Sequence, residues 1–121
     1  MMLKVINVDE APAEEAVGGI FQGGKVGIKR LIDTSIGAYE TKVAIVTFPP
    51  GARTKMHIHT HEQILYILSG KGIVATEQEE HVATPGMIFL VQAGEKHWHG
   101  ATQESGSSHL YVFSSETETS Y

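Results

Sequence analysis

Six short runs rich in β-branched and aromatic residues divide this chain: VGIKRLID (26–33), TKVAIVTF (41–48), QILYIL (63–68), GIVAT (72–76), MIFLV (87–91) and HLYVF (109–113). Between them lie FPPGAR, SGKG, TPGM and QAGEKH, where glycine supplies positive φ and proline pre-sets a turn. Short β-favouring runs with this punctuation predict an all-β, mostly antiparallel protein. A closed or double-sheet barrel would leave the fewest exposed edges. The one segment that reads as a helix is APAEEAV, near the N-terminus, and it is short. With 121 residues the chain suits a single domain, 1–121. Its barrel core is expected over about residues 26–114, with an N-terminal arm over 1–25. The tail SSETETSY has no apolar periodicity, so residues 115–121 are expected to be flexible.

Composition excludes several partners and chemistries. Hydrophobic residues make up 41% and charged residues 19%, the balance of an ordinary globular protein. The net charge of −5, with nine Lys plus Arg scattered along the chain, offers no stripe for a phosphate backbone, so no nucleic-acid partner is expected. No apolar run approaches a membrane span or a signal peptide, so no membrane partner is expected and the cytoplasm is the default compartment. The absence of cysteine removes disulfides, thiolate metal sites and thiol nucleophiles together. Any metal must be held by nitrogen and oxygen.

Two histidine clusters supply those donors. HIHTHEQ (57–63) and GEKHWHG (94–100) each carry His-x-His, and on a strand residues i and i+2 share a face. His57 with His59, and His97 with His99, can therefore each point at one place. Imidazoles with an amide or carboxylate oxygen suit manganese, iron, cobalt, nickel, copper or zinc. Continued straight, a strand would carry residue 63 about 20 Å from residue 57, so THE must turn the chain if 63 is to join the group.

GARTKMHIHTHEQILYILSG resembles the first cupin motif, with Gly51, His57, His59 and Gly70 on its fixed positions. GMIFLVQAGEKHWHG resembles the second, with Gly86, Gly94 and His97 in place. The resemblance implies a cupin-type double-stranded β-helix, a jelly-roll barrel, with a divalent transition metal held by His57, His59, His97 and the residue at the glutamate position. That position carries Gln63 here, and Glu62 sits one residue early. Alternation does not choose between them: Gln63 inward takes Leu65 and Ile67 inside, Glu62 inward takes Ile64, Tyr66 and Leu68. Register favours Gln63. The second motif also departs from the usual pattern at Gln92 and Ala101, neither of them a ligand position.

Three imidazoles and an amide leave a divalent ion its full charge, a stronger Lewis acid than a carboxylate-bearing site and a poorer stabiliser of a ferric state. The expected chemistry is therefore redox-neutral. Within the cupins the pattern is similar to the small single-domain group that includes manganese-dependent bacterial hydroxynitrile lyases. That resemblance favours manganese and a lyase acting on a small carbonyl or hydroxy compound, with cyanohydrin cleavage or formation as one option. It also matches His109, in SSHLYVF, to a general acid-base position. His109 shares its strand face with Tyr111 and Phe113, as a residue lining an apolar pocket would. A metal-dependent dioxygenase and a non-catalytic small-molecule-binding cupin are the alternatives.

Other residues carry lesser expectations. His61 and His81 are read as turn residues, His99 as a hydrogen-bonded neighbour of the site or a pocket residue, Trp98 as packing and Arg53 as surface. Ala44, Val46 and Phe113 are expected to set pocket size. Both faces of QILYIL are apolar, so the face that does not line the barrel needs cover, and a homodimer is expected alongside a small-molecule substrate.

Overall fold

The computed structural model describes residues 3–121. In chain order its strands are β1 (Glu14–Glu15), β2 (Phe21–Gln22), β3 (Gly27–Ile32), β4 (Thr41–Phe48), β5 (Arg53–Thr54), β6 (Ile58–His59), β7 (Gln63–Gly70), β8 (Gly72–Thr76), β9 (Glu80–Ala83), β10 (Ile88–Val91), β11 (His97–Ala101), β12 (Ser107–Ser114) and β13 (Thr119–Ser120). They form a six-stranded sheet in the order β1-β3-β4-β12-β7-β10 and a five-stranded sheet in the order β2-β5-β11-β8-β9. A third, two-stranded piece pairs β13 with β6. Every pairing is antiparallel. The expected all-β jelly roll is the fold.

Alternation sets the inner face. Along β7, Gln63, Leu65 and Ile67 are buried while Ile64, Tyr66 and Leu68 lie outside, and along β4 Ala44, Val46 and Phe48 are buried. Burial of such side chains removes apolar area from water at about 25 cal/mol per Å², which offsets the cost of ordering the strands. Two apolar clusters result. One gathers Val26, Ile28, Ala44, Val46, Phe48 and Ala52 with their neighbours, the other Leu65, Ile67, Val74, Ala83 and Val91. Tyr111 packs against both.

Two glycines permit close approaches. Gly70 ends β7 at φ 74°, where a Cβ would stand 1.8 Å from the carbonyl oxygen of Gly106. At Gly100 a Cβ would meet the Ala52 carbonyl and the Arg53 side chain at 2.5 Å, so β5 pairs this closely with β11 only because position 100 has no side chain.

Both ends of the chain differ from expectation. APAEEAV is not helical: Glu14–Glu15 pairs with Ile28 and Gly27 at the sheet edge. A segment of two turns has too little internal bonding to compete with an available edge. Residues 115–121, expected to fray, are engaged as well. Ser115 N–H donates to Glu40 O at 3.0 Å, the Ser115 hydroxyl donates to Tyr39 O, and Thr119 and Ser120 pair with His59 and Ile58. Backbone pairing needs no apolar periodicity, which is why the sequence carries no sign of it.

Candidate metal centre

The site starts from a backbone pairing. His57 N–H donates to His97 O at 2.8 Å and His97 N–H donates to His57 O at 3.0 Å, a doubly bonded antiparallel bridge that brings the two histidine clusters together. Their rings lie 4.1 Å apart, centroid to centroid. His59, two residues on, presents its ring 4.9 Å from His57 and 5.1 Å from His97. The turn holding Gly94 is tied to the same strand by Gly94 N–H donating to His59 O at 2.9 Å. One ring nitrogen from each of His57, His59 and His97 falls within 4.8 Å of the others, and all three residues are buried.

The outer ring nitrogens fix which face of each imidazole is free. His57 Nδ1 lies 2.7 Å from Lys55 O and His97 Nδ1 lies 3.0 Å from Glu95 O. A carbonyl only accepts, so in both rings Nδ1 carries the hydrogen and Nε2 keeps its lone pair. His97 Nε2 is buried with no protein partner. His59 Nδ1 is paired instead with the Thr119 hydroxyl at 2.7 Å. Imidazoles anchored through the second nitrogen are the usual support of a metal ligand. An orphaned buried Nε2 beside two further imidazoles fits a divalent cation of the first transition row.

β7 resolves the choice that alternation left open. Gln63 is the inward residue, 3% exposed, and Glu62 faces solvent. Gln63 Oε1 lies 3.1 Å from His59 Nε2, so an amide oxygen stands beside the three imidazoles. The inward set is then Leu65 and Ile67, while Ile64, Tyr66 and Leu68 form the outer face.

Electrostatics keep the imidazoles neutral. Burial lowers His57 from 6.5 to about 4, with repulsion from His97 and His59 adding to it and the hydrogen bond to Lys55 O opposing it. His59 is likewise lowered to about 4, first by burial and then by His97. His97 is lowered chiefly by burial, against the opposing hydrogen bond to Glu95 O. Neutral imidazole is the form that ligates.

A cavity of about 310 Å³ opens on this group. His57, His59, Gln63 and His99 supply its polar wall, and Ile20, Phe21, Val46, Tyr111 and Phe113 much of its apolar wall. Val46 and Phe113 are wall residues as expected. Ala44 is instead fully buried in the apolar cluster behind them. His99 is the pocket residue that the sequence allowed, and neither of its ring nitrogens has a protein partner. Burial, followed by repulsion from His109, keeps it well below the usual imidazole range. His109 lies behind it, 4% exposed, its ring 5.0 Å from His99 and 5.7 Å from Phe48, with Nε2 unpartnered. His109 is therefore one ring removed from the cavity wall, while Tyr111 and Phe113 of the same strand line it. Burial lowers His109 to about 4.

The remaining expectations sort simply. His61 pairs with the Thr60 hydroxyl at 2.9 Å, and the exposed His81 Nε2 lies 2.7 Å from a Glu79 carboxylate oxygen. Arg53 is not a free surface cation: its guanidinium lies 3.6 Å over the Trp98 ring. The sequence missed Thr119 and Tyr121, which line the cavity from the segment that β13 docks.

A barrel of two antiparallel sheets with a histidine group at its interior defines a class, and the profile of the cupin domain family matches residues 44–113. The chain belongs to the cupin family. It is 41% identical over 73 residues to an (R)-mandelonitrile lyase of Granulicella tundricola, a match covering 57% of this chain and 53% of that enzyme. It is 40% identical over 50 residues to auxin-binding protein T85 of Nicotiana tabacum, covering 41% of this chain and 27% of that protein. The chain thus spans about half and about a quarter of the two curated relatives. Among solved structures it resembles a cupin-like protein from Thermotoga maritima with a TM-score of 0.78 at 28% identity, over 86% of this chain and 81% of that one. Among the described residues no helix is long and apolar enough to cross a membrane.

Proposed function

We propose that this cupin is a divalent-metal-dependent lyase acting on a small hydroxy or carbonyl compound, with cyanohydrin cleavage or formation the first reaction to test. The observation that carries the reading is the convergence of buried His57, His59 and His97 within 4.8 Å, with His57, His59 and Gln63 opening on a cavity of about 310 Å³. Likeness to the (R)-mandelonitrile lyase supplies the reaction class. The ion, manganese by preference, would be held by His57, His59, His97 and Gln63 and would supply positive charge for a substrate oxygen.

The protein's own groups supply the rest. Phe21, Val46, Tyr111 and Phe113 give an apolar wall for the organic part of the substrate and exclude water from it. His109 is the acid-base residue of this reading, with the His99 ring standing between it and the cavity at 5.0 Å. Burial keeps both imidazoles neutral near pH 7, and each has an unpartnered ring nitrogen. In cleavage the hydroxyl proton passes to imidazole, the O–H electron pair becomes the second carbon–oxygen bond, and the carbon–carbon pair leaves on cyanide, which is protonated in turn. The test is benzaldehyde release from (R)-mandelonitrile by manganese-reconstituted protein, followed by absorbance. Turnover absent from the chelated protein is expected, and equal rates with and without metal would overturn the reading.

A second reading rests on a separate observation. The apolar cavity and the likeness to auxin-binding protein T85 favour a non-catalytic binder of a small molecule such as an auxin, for which a ligand-induced melting shift without turnover is the signature. The ligand set favours both readings over a dioxygenase, since no carboxylate is present to balance an oxidised iron.

A homodimer is proposed on the outer face of the six-stranded sheet. Leu90, Ile64, Val112 and Val43 lie side by side across four strands, and Ile88, Tyr66, Leu110 and Ile45 form the adjoining row. A two-row apolar face of this extent is best covered by a second copy. A cytoplasmic location accompanies this reading as a proposal.

A further inference from the structure

We propose that Thr119 is a positioning residue of the metal centre, its hydroxyl orienting the His59 ring and partnering Nδ1 whichever ring nitrogen carries the hydrogen. This rests on the metal-binding reading above and extends it to a segment that neither histidine motif contains. His57 and His97 are anchored by main-chain carbonyls, those of Lys55 and Glu95, which no side-chain change removes. His59 depends on a side chain sixty residues away, at 2.7 Å.

That side chain is delivered by backbone geometry. Thr119 sits directly opposite His59 in the β13–β6 pair. Thr60 N–H donates to Glu118 O at 3.0 Å and Glu118 N–H donates to the Thr60 hydroxyl at 2.9 Å, which locks the register one residue along. Thr119 also lines the cavity.

A hydroxyl does here what a carbonyl cannot. His59 Nε2 and Gln63 Oε1, 3.1 Å apart, can face each other in two ways. Either Nε2 carries the hydrogen and donates to the amide oxygen, leaving Nδ1 to accept, or both atoms turn lone pairs toward a shared cation and Nδ1 carries the hydrogen. The Thr119 hydroxyl donates in the first case and accepts in the second. His59 and Gln63 can therefore pass between a hydrogen-bonded pair and two ligands without stranding Nδ1, and docking of β13 is coupled to metal affinity. Loss of such an outer partner typically weakens metal binding roughly 10- to 100-fold.

The test uses the full chain loaded with cobalt(II), with affinity read by chelator competition and the ligand field by visible absorption. Thr119→Val keeps the side-chain shape and removes the hydroxyl; Thr119→Ala is a second hydroxyl-free variant should valine disturb folding, which circular dichroism reports. Thr119→Ser restores the hydroxyl. The expected result is a loss of roughly 10- to 100-fold for Val and Ala, a shifted visible spectrum, and near wild-type values for Ser. Wild-type affinity in Val and Ala, or an equal loss in Ser, overturns the role of Thr119 while leaving the metal site intact. Failure of the wild-type chain to take up cobalt overturns both.

Discussion

His57 and His97 are built alike: they exchange both backbone hydrogen bonds, and each ring is anchored to the carbonyl two residues before it, Lys55 for one and Glu95 for the other. Because the bridge is main chain, His57→Ala and His97→Ala should fold with unchanged circular dichroism yet lose the ion. Wild-type protein should melt higher with added metal, by about 2.7 kcal/mol of stability at a hundredfold excess over Kd. The alanine variants should show no metal-dependent rise in a thermal melt.

Gln63 bears on the reaction as well as on affinity. Gln63→Glu would place a carboxylate beside His59, where the amide oxygen lies 3.1 Å from Nε2. The variant should hold its metal more tightly, since a charge is added to a cationic centre, and should turn over cyanohydrin more slowly, roughly tenfold or more, because the ion is a weaker Lewis acid. Chelator competition and steady-state kinetics measure the two effects separately.

His109 should separate chemistry from metal binding. Its ring lies behind His99 and contributes nothing to the His57, His59 and His97 group. His109→Phe, which also fits the aromatic packing against Phe48, should leave metal content unchanged and lower kcat by roughly 10²- to 10⁴-fold. A parallel loss of metal would mean that His109 supports the site structurally.

Buried neutral imidazoles also make the fold sensitive to acid. In the unfolded chain His109 takes up a proton near 6.5, and in the folded protein burial delays this to about 4. Between those values the unfolded state binds more protons, so stability falls as the pH is lowered from about 6.5 and stops falling on this account below about 4. His57 and His59 act in the same direction. Urea unfolding of chelated protein at a series of pH values should show that slope, and His109→Phe should make it shallower.

The outer apolar rows predict association. Ile64 and Tyr66 are 38% and 40% exposed at the centre of the face, too large a share for side chains meant to be covered. Ile64→Glu should convert a dimer to a monomer at micromolar concentration by light scattering, with metal content unchanged. A monomeric wild-type chain would remove the interface.

Much of this was legible in the residues. The β-branched runs TKVAIVTF and GIVAT located β4 and β8 to the residue, because each is bounded by its own glycine or proline turn signals. His57, His59 and His97 were legible because i, i+2 spacing and glycine positions are local. Gln63 against Glu62 was not, since both faces of QILYIL are apolar and only the three-dimensional packing tells them apart. The short strand at Glu14–Glu15 and the docked Thr119–Ser120 were also invisible. Both are held by backbone bonds to distant partners, and polar side chains carry no record of such bonds.

The most direct measurement is the metal content of tag-free protein reconstituted with manganese, determined by plasma mass spectrometry for wild type and His59→Ala. The account predicts about one ion per wild-type chain and essentially none in the variant, since one of three converging nitrogens and the partner of Gln63 are lost together. Wild-type protein that emerges without metal, or a variant that retains it in full, would contradict the account.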